Sequence, residues 1–240
     1  MNLKKSNIPF ILNASLASFG VYFCMYAFRK PFTVATFEGL EVFHIDYKIL
    51  LIIAQVIGYV ISKFIGIKII SELKANQRIF YLLGLIAIAE IALVLFAIVP
   101  KPYNIIFMFI NGVPLGMIWG IVFSYLEGRK FTEILGVALS TSFIVSSGVV
   151  KSAGFFVMES LHFSEFWMPA ITGLLFVGPL LFFALAFRTN SKTYTGRYCI
   201  AFRADSNDSK RPKKGSIAVF ISNYYLGFIL YLSDRFPRFS

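Results

Sequence analysis

Five charged residues lie inside or directly beside stretches of this chain that are otherwise apolar. They are Arg29, Lys30, Lys63, Glu90 and Lys151. On insertion scales a charged side chain near the centre of a bilayer costs about 2.5 to 3.5 kcal/mol, so the group costs on the order of 10 kcal/mol. Charges in such positions usually face a cavity or one another, and the four cations are therefore candidates for binding an anion.

The chain has 240 residues, of which 58% are hydrophobic and 28 are Phe, and its mean hydropathy is +0.74. This composition is typical of a polytopic membrane protein and differs strongly from that of a soluble domain. A bilayer core of about 30 Å needs about 20 apolar residues per helix. The sequence therefore predicts an all-α polytopic membrane protein with a six-helix bundle. The predicted spans are 8–28 (alternatively 14–38), 48–70, 79–99, 104–126, 134–157 and 166–187.

Lys and Arg concentrate at the N-terminus, in alternate connections and after the sixth span, and the net charge is +11. In a membrane protein this pattern indicates orientation and not nucleic-acid binding, and it places both ends of the bundle in the cytoplasm. Residues 1–188 are thus predicted to form the bundle and 189–215 a basic cytoplasmic segment. A short apolar stretch in 216–240 predicts a helix that either spans the membrane or lies at its surface.

Small residues predict where two of the spans pack closely against their neighbours. Span four carries Gly112, Gly116 and Gly120, and span five carries Gly136, Ser140, Ser147 and Gly148. Both spans therefore present a face on which helix backbones can approach each other, which also suits helices that rock during transport.

The charged residues within the spans allow two interpretations each. Lys63 lies about two thirds of the way along span two, and Lys151 lies at a similar fraction of span five, which runs in the opposite direction. The two lysines are therefore at mirrored depths, one toward the cytoplasm and one toward the outside. If the two halves of the bundle are inverted repeats, these lysines place positive charge on both sides of a central cavity. Alternatively, each lysine extends its ammonium group to the nearer interface. Glu90, in the middle of span three, either pairs with a lysine from another helix or is protonated against its packing partners.

Three segments carry a resemblance to a known family. They are Tyr26-Ala27-Phe28-Arg29-Lys30-Pro31-Phe32, Ser62-Lys63-Phe64 and Trp167-Met168-Pro169-Ala170. In this order and spacing they resemble the N-terminal half of the organophosphate:phosphate antiporters, such as glycerol-3-phosphate transporters, of the major facilitator superfamily. The segment 112–154, which contains Trp119-Gly120, looks closer to an uncharacterised bacterial branch of that superfamily. The resemblance covers residues 10–190.

The resemblance implies a transporter of a phosphate-bearing or other organic anion in a bacterial inner membrane. It implies that span one continues past Arg29 toward Phe37, so that this arginine faces a central cavity and binds phosphate with help from Lys63. A guanidinium group donates two parallel hydrogen bonds to phosphate oxygens, and lysine adds a point charge. The remaining candidate substrate contacts are Tyr26, Lys30, Trp119 and Lys151.

The chain also departs from the family's pattern. The loop after span two lacks the usual Asp-Arg gating pair, for which Glu72 and Arg78 are the candidate substitutes. Span five lacks the family's histidine, and the family needs a second bundle of six spans. A homodimer or a separate half-transporter would have to supply that second wall.

Other classes of function are weaker expectations. The chain shows no nucleophile motif, phosphate-binding glycine loop or metal-ligand spacing, so an enzyme, a cofactor and a metal are not expected. A membrane sensor or scaffold that binds an anion without transporting it remains an alternative. So does an inactive fragment from a frameshifted or truncated gene, in which case 189–240 would not be native sequence.

Overall fold

The computed structural model describes residues 8–73, 77–126 and 132–205 and shows an all-α polytopic membrane bundle. Among the described residues, five helices are long and apolar enough to cross a membrane, and the first span contains a shorter apolar helical stretch, Ser15–Phe28. The helices are α1 (Ile8–Met25), α2 (Tyr47–Glu72), α3 (Arg78–Ile98), α4 (Ile105–Leu126), α5 (Thr132–Glu159) and α6 (Met168–Asp205).

The resemblance implied that span one continues past Arg29 toward Phe37, but the structure contains no regular α-helix there. The α-helix ends at Met25 and is followed by two 3₁₀ turns, Tyr26–Phe28 and Pro31–Thr33. Pro31 lacks a backbone N–H and its ring would clash with the carbonyl four residues earlier, so a regular α-helix cannot pass through it without a kink. The chain thus leaves the helical path at the position of Arg29.

Helices α2 and α4 pack closely because glycines lie at their contact. A side chain at Gly112 would overlap the backbone carbonyl of Gln55, and one at Gly116 would overlap the hydroxyl of Ser62. On the opposite side of this contact, a side chain at Gly58 would overlap the carbonyl of Phe109. The predicted close-packing face of span four is therefore confirmed at Gly112 and Gly116.

The face of span five that packs is not the one predicted from its small residues. Gly148 is exposed, and a side chain there would meet no neighbouring atom. The buried small residues of α5, in the part of the helix whose burial is described, include Ser142, Ser146 and Gly154. Ser142 turns toward α1 and donates a hydrogen bond of 2.8 Å to the carbonyl of Phe19. Ser140 is also exposed and Ser147 is half-buried, so the prediction is wrong at Ser140 and Gly148, and the burial of Gly136 is not described.

Helix α1 packs against α5 and α6, and α3 packs against α4 and α6. At the end of the bundle that holds the α1–α2 connection, an antiparallel hairpin forms between β1 (Glu41–Val42) and β2 (Ile45–Asp46). An aromatic cluster fills this end of the bundle. Its members are Phe37, Tyr47, Phe96 and Phe166.

A carboxylate joins the end of the first span to the start of α6. Glu165 accepts hydrogen bonds from the backbone N–H of Thr36 and of Phe37, each at 3.0 Å, and from the Thr36 hydroxyl at 3.1 Å. Three bonds to one charged side chain hold this connection against the bundle.

Helix α6 continues to Asp205, well past the predicted end of span six at residue 187. Part of the predicted basic segment, up to residue 205, is thus helical. Residues 206–215 and the predicted short apolar helix within 216–240 lie outside the described residues.

We expect Gly112→Ala to lower the free energy of unfolding by about 1–3 kcal/mol, because its methyl group has to displace the α2 backbone. Gly84→Ala is the matched control, since Gly84 is an exposed helix position with no atom near the added methyl group. Thermal unfolding of the purified variants in the same detergent measures both. Equal melting temperatures for the two variants would contradict the close α2–α4 contact.

Candidate anion-binding site

The structure buries three of the predicted cationic site residues. Arg29 and Lys30 are each 1% exposed, and Lys63 is 7% exposed. Arg29 lies directly after the first 3₁₀ turn, and Lys63 lies in the second half of α2. Removing an ion from water costs several kcal/mol even after the protein relaxes around it, so positively charged side chains at these positions need a specific environment.

Aromatic rings supply part of that environment. The guanidinium carbon of Arg29 lies 5.1 Å from the ring centroids of both Tyr26 and Tyr59. The Lys63 ammonium lies 4.9 Å from the ring centroid of Tyr59 and 5.3 Å from that of Trp119. Each cation therefore contacts two rings, and a desolvated contact of this kind contributes about 2 kcal/mol. Tyr59 is shared, so the two cations are neighbours across one ring.

One Arg29 N–H also donates a hydrogen bond of 3.3 Å to the hydroxyl of Tyr26. Tyr26 is itself fully buried and packs edge-on against Tyr22 and Phe143. These ring contacts fix the phenol that orients the guanidinium group. The predicted site residues Tyr26, Arg29, Lys63 and Trp119 thus form one cluster, which we call the cation cluster, together with Tyr59.

Two buried side-chain amides bind the backbone of the non-α-helical segment that carries Arg29. Asn111 donates hydrogen bonds of 3.1 Å to the carbonyls of both Phe28 and Ala89. Gln55 donates to the Asn111 side-chain oxygen at 2.8 Å and reaches the carbonyl of Arg29 at 3.4 Å. Irregular backbone inside a membrane requires such internal donors, because lipid provides none.

Sequence reasoning missed Gln55, Tyr59 and Asn111. A signal was present on α2, since Gln55, Tyr59, Ser62 and Lys63 recur at helical spacing and form a polar stripe on one face. For Asn111 the only signal was an amide within an apolar span, and its partners come from three other segments of the chain.

The other predicted site residues are described by different contacts. Lys151 is exposed on α5, and none of the contacts described above involves it. Lys30 is buried, and its carbonyl accepts a hydrogen bond of 2.7 Å from the Thr33 hydroxyl. Glu72 is exposed, and Arg78 donates from Nε to the carbonyl of Leu73 at 3.4 Å. Arg78 thus caps the end of α2, and its pairing with Glu72 as a gate stays a prediction.

Glu90 was expected either to pair with a lysine or to pack without one. Both of its carboxylate oxygens are buried, and no hydrogen bond reaches them from the described residues. The carboxylate lies against Gly173 of α6, where an added side chain would overlap it. Within the described part of the chain, Glu90 therefore packs without the lysine partner.

The cluster offers positive charge and N–H donors, which are the groups that hold anions in proteins. Among the described residues, no group of three or more His, Cys, Asp or Glu side chains is arranged to hold a metal ion. The two histidines, His44 and His162, lie exposed in connections between helices.

We expect Asn111→Leu to destabilise the bundle by at least about 2 kcal/mol, because the carbonyl of Phe28 loses its donor and the amide of Gln55 loses its acceptor. Each such loss in a buried place costs about 1–3 kcal/mol. Thr141→Val is a suitable control, since this exposed hydroxyl bonds only to the carbonyl of Val137 on its own helix. Thermal unfolding in detergent compares the two. An Asn111→Leu variant as stable as the control would show that Asn111 does not hold the unwound turn.

Residues 31–196 match a family of unknown function, DUF5690. The match covers more than half of the chain and includes Lys63, Glu90, Asn111 and Trp119, whereas Tyr26 and Arg29 precede it. No curated protein and no solved structure matches the chain. The chain therefore belongs to the DUF5690 family.

Proposed function

We propose that the chain is a membrane transporter of the major facilitator type, or one half of such a transporter, for a phosphate-bearing or other organic anion. The observation that carries this proposal is the burial of Arg29 and Lys63 against the shared ring of Tyr59. A guanidinium fork beside an ammonium group suits a phosphate, which accepts paired hydrogen bonds from the first and charge from the second.

The break in the first span supports a transport function over a purely structural role for the buried charges. Discontinuous helices commonly form the substrate sites of secondary transporters. Here the break lies at Arg29, and the glycine contact between α2 and α4 brings Tyr59 and Lys63 to the same place. Alternating access would then proceed by rocking of this bundle against a second one, supplied by another copy or by a separate half-transporter. The proposal includes a bacterial inner membrane with a cytoplasmic N-terminus.

We expect Arg29→Ala to weaken binding of inorganic phosphate or glycerol-3-phosphate at least about 30-fold, because truncating a buried charged partner costs about 2 kcal/mol or more. Arg29→Lys is expected to bind with intermediate affinity, because an ammonium group keeps the charge but not the planar fork. Lys63→Ala should also weaken binding. Equilibrium binding of labelled ligand to the purified chain in lipid nanodiscs measures these effects.

Lys101→Ala is the control, since Lys101 is exposed in the α3–α4 connection and far along the chain from the cluster. The same proteins are then reconstituted in vesicles to measure uptake. Wild-type binding that Arg29→Ala leaves unchanged would contradict the assigned site. Binding without flux in either homomeric or mixed vesicles would contradict transport and favour an anion sensor.

A further inference from the structure

Glu90 is a buried carboxylate that the anion site does not use. It lies in the middle of α3, and part of its side chain is exposed although both carboxylate oxygens are buried. The carboxylate occupies the space over Gly173, and the ring of Phe28 borders the same glycine. It is thus enclosed where α3, α6 and the first 3₁₀ turn meet. An ionised carboxylate enclosed without a hydrogen-bond donor is strongly disfavoured relative to its protonated form.

The elements around Glu90 offer few charges that could compensate an ionised carboxylate. Helix α6 has no titratable side chain between Met168 and Phe187, and α4 has only Tyr125. Helix α3 itself adds Arg78 and Tyr81, both near its first turn. The segment after α1 brings Tyr26, Arg29 and Lys30, of which Arg29 is directed at the rings of Tyr26 and Tyr59.

The same amide connects Glu90 with the cation cluster. Asn111 donates one hydrogen bond to the carbonyl of Phe28, which precedes Arg29, and one to the carbonyl of Ala89, which precedes Glu90. Movement of the backbone at either position therefore changes a hydrogen bond at the other. This shared donor gives a physical route by which the charge state of Glu90 can change the position of Arg29.

We propose that Glu90 binds a proton and that the chain binds the anion more tightly when Glu90 is protonated than when it is ionised. The proton comes from water and adds to one carboxylate oxygen, which removes a negative charge from the neighbourhood of the anion. Anion binding and proton binding then favour each other, as in any linked pair of sites. The coupling rests on the proposed function, whereas the proton site itself does not.

Infrared spectroscopy of the full chain in nanodiscs, with no anion present, tests the proton site. At pH 7 solvated carboxyl groups are ionised, so we expect the carbonyl stretch of one protonated carboxyl group to remain and to disappear in Glu90→Gln. Glu159→Gln, which changes an exposed carboxylate, should leave it in place. A spectrum without this band, or a band that persists in folded Glu90→Gln, would overturn the proposal.

If Glu90→Gln fails to fold, Glu90→Asp keeps the carboxyl group and should shift the band in frequency. An unshifted band would assign it to another residue and overturn the proposal in the same way.

Phosphate binding at two pH values tests the coupling. Lowering the pH from 8 to 6 should tighten phosphate binding to the wild type at least about fivefold more than binding to Glu90→Gln, in the range of ordinary coupling energies. Comparing the two proteins at each pH cancels the titration of phosphate itself. An equal pH effect in both would overturn the coupling. A wild type that shows the band but binds no phosphate would refute the proposed anion function and leave the proton site standing.

Discussion

The carbonyl groups released by the break in the first span have to find donors inside the protein, because the surrounding lipid offers none. Asn111 and Gln55 meet this requirement for Phe28 and Arg29. Everything else at the site depends on that solution. It lets the chain leave the helix near the middle of the bundle and holds the Arg29 backbone in a defined place.

Burying two cations side by side is the second physical demand on this structure. Desolvation costs several kcal/mol per ion, and the two ring contacts that each cation makes offset part of it at about 2 kcal/mol each. The close approach of α2 and α4 at Gly112 and Gly116 positions the ring that both cations share. A bound anion would add attraction to both charges at once, which is why the geometry favours an anion ligand over a purely structural role.

Much of the fold could be predicted from the sequence, since apolar length alone indicates membrane helices. The close-packing face of span four could also be predicted, because its glycines recur at four-residue spacing. The sequence left the end of span one open between Phe28 and a point beyond Arg29, and the structure ends its helical part at Phe28, with a 3₁₀ turn after Met25. The change from α-helix to 3₁₀ turn could not be predicted, because residues 26–28 are as apolar as the helix before them and only Pro31 signals the break. The prediction of the packing face of span five was wrong because small residues occur on both sides of that helix. Which side is buried depends on the position of α1.

The charged residues of the site could be predicted from the sequence, because a charge in an apolar span needs an explanation. The neutral residues that support them could not. Arg29 and Lys63 stand out in an apolar chain, whereas Tyr59 and Asn111 look like ordinary members of their spans. Their roles depend on partners that are distant in sequence, such as Phe28 and Ala89 for Asn111. Glu90 attracted attention for its charge, but its setting over Gly173 could only be learned from the packing of α3 against α6.

The central claim is that an anion is held by Arg29 and Lys63. Solid-state NMR on the chain in lipid, with ¹⁵N in arginine and lysine side chains and ³¹P in bound phosphate, measures this proximity directly. The account predicts dipolar dephasing of one guanidinium and one ammonium signal by phosphorus, with the guanidinium effect lost in Arg29→Gln. Absence of dephasing at saturating phosphate, or dephasing that persists at the guanidinium signals of Arg29→Gln, would contradict it.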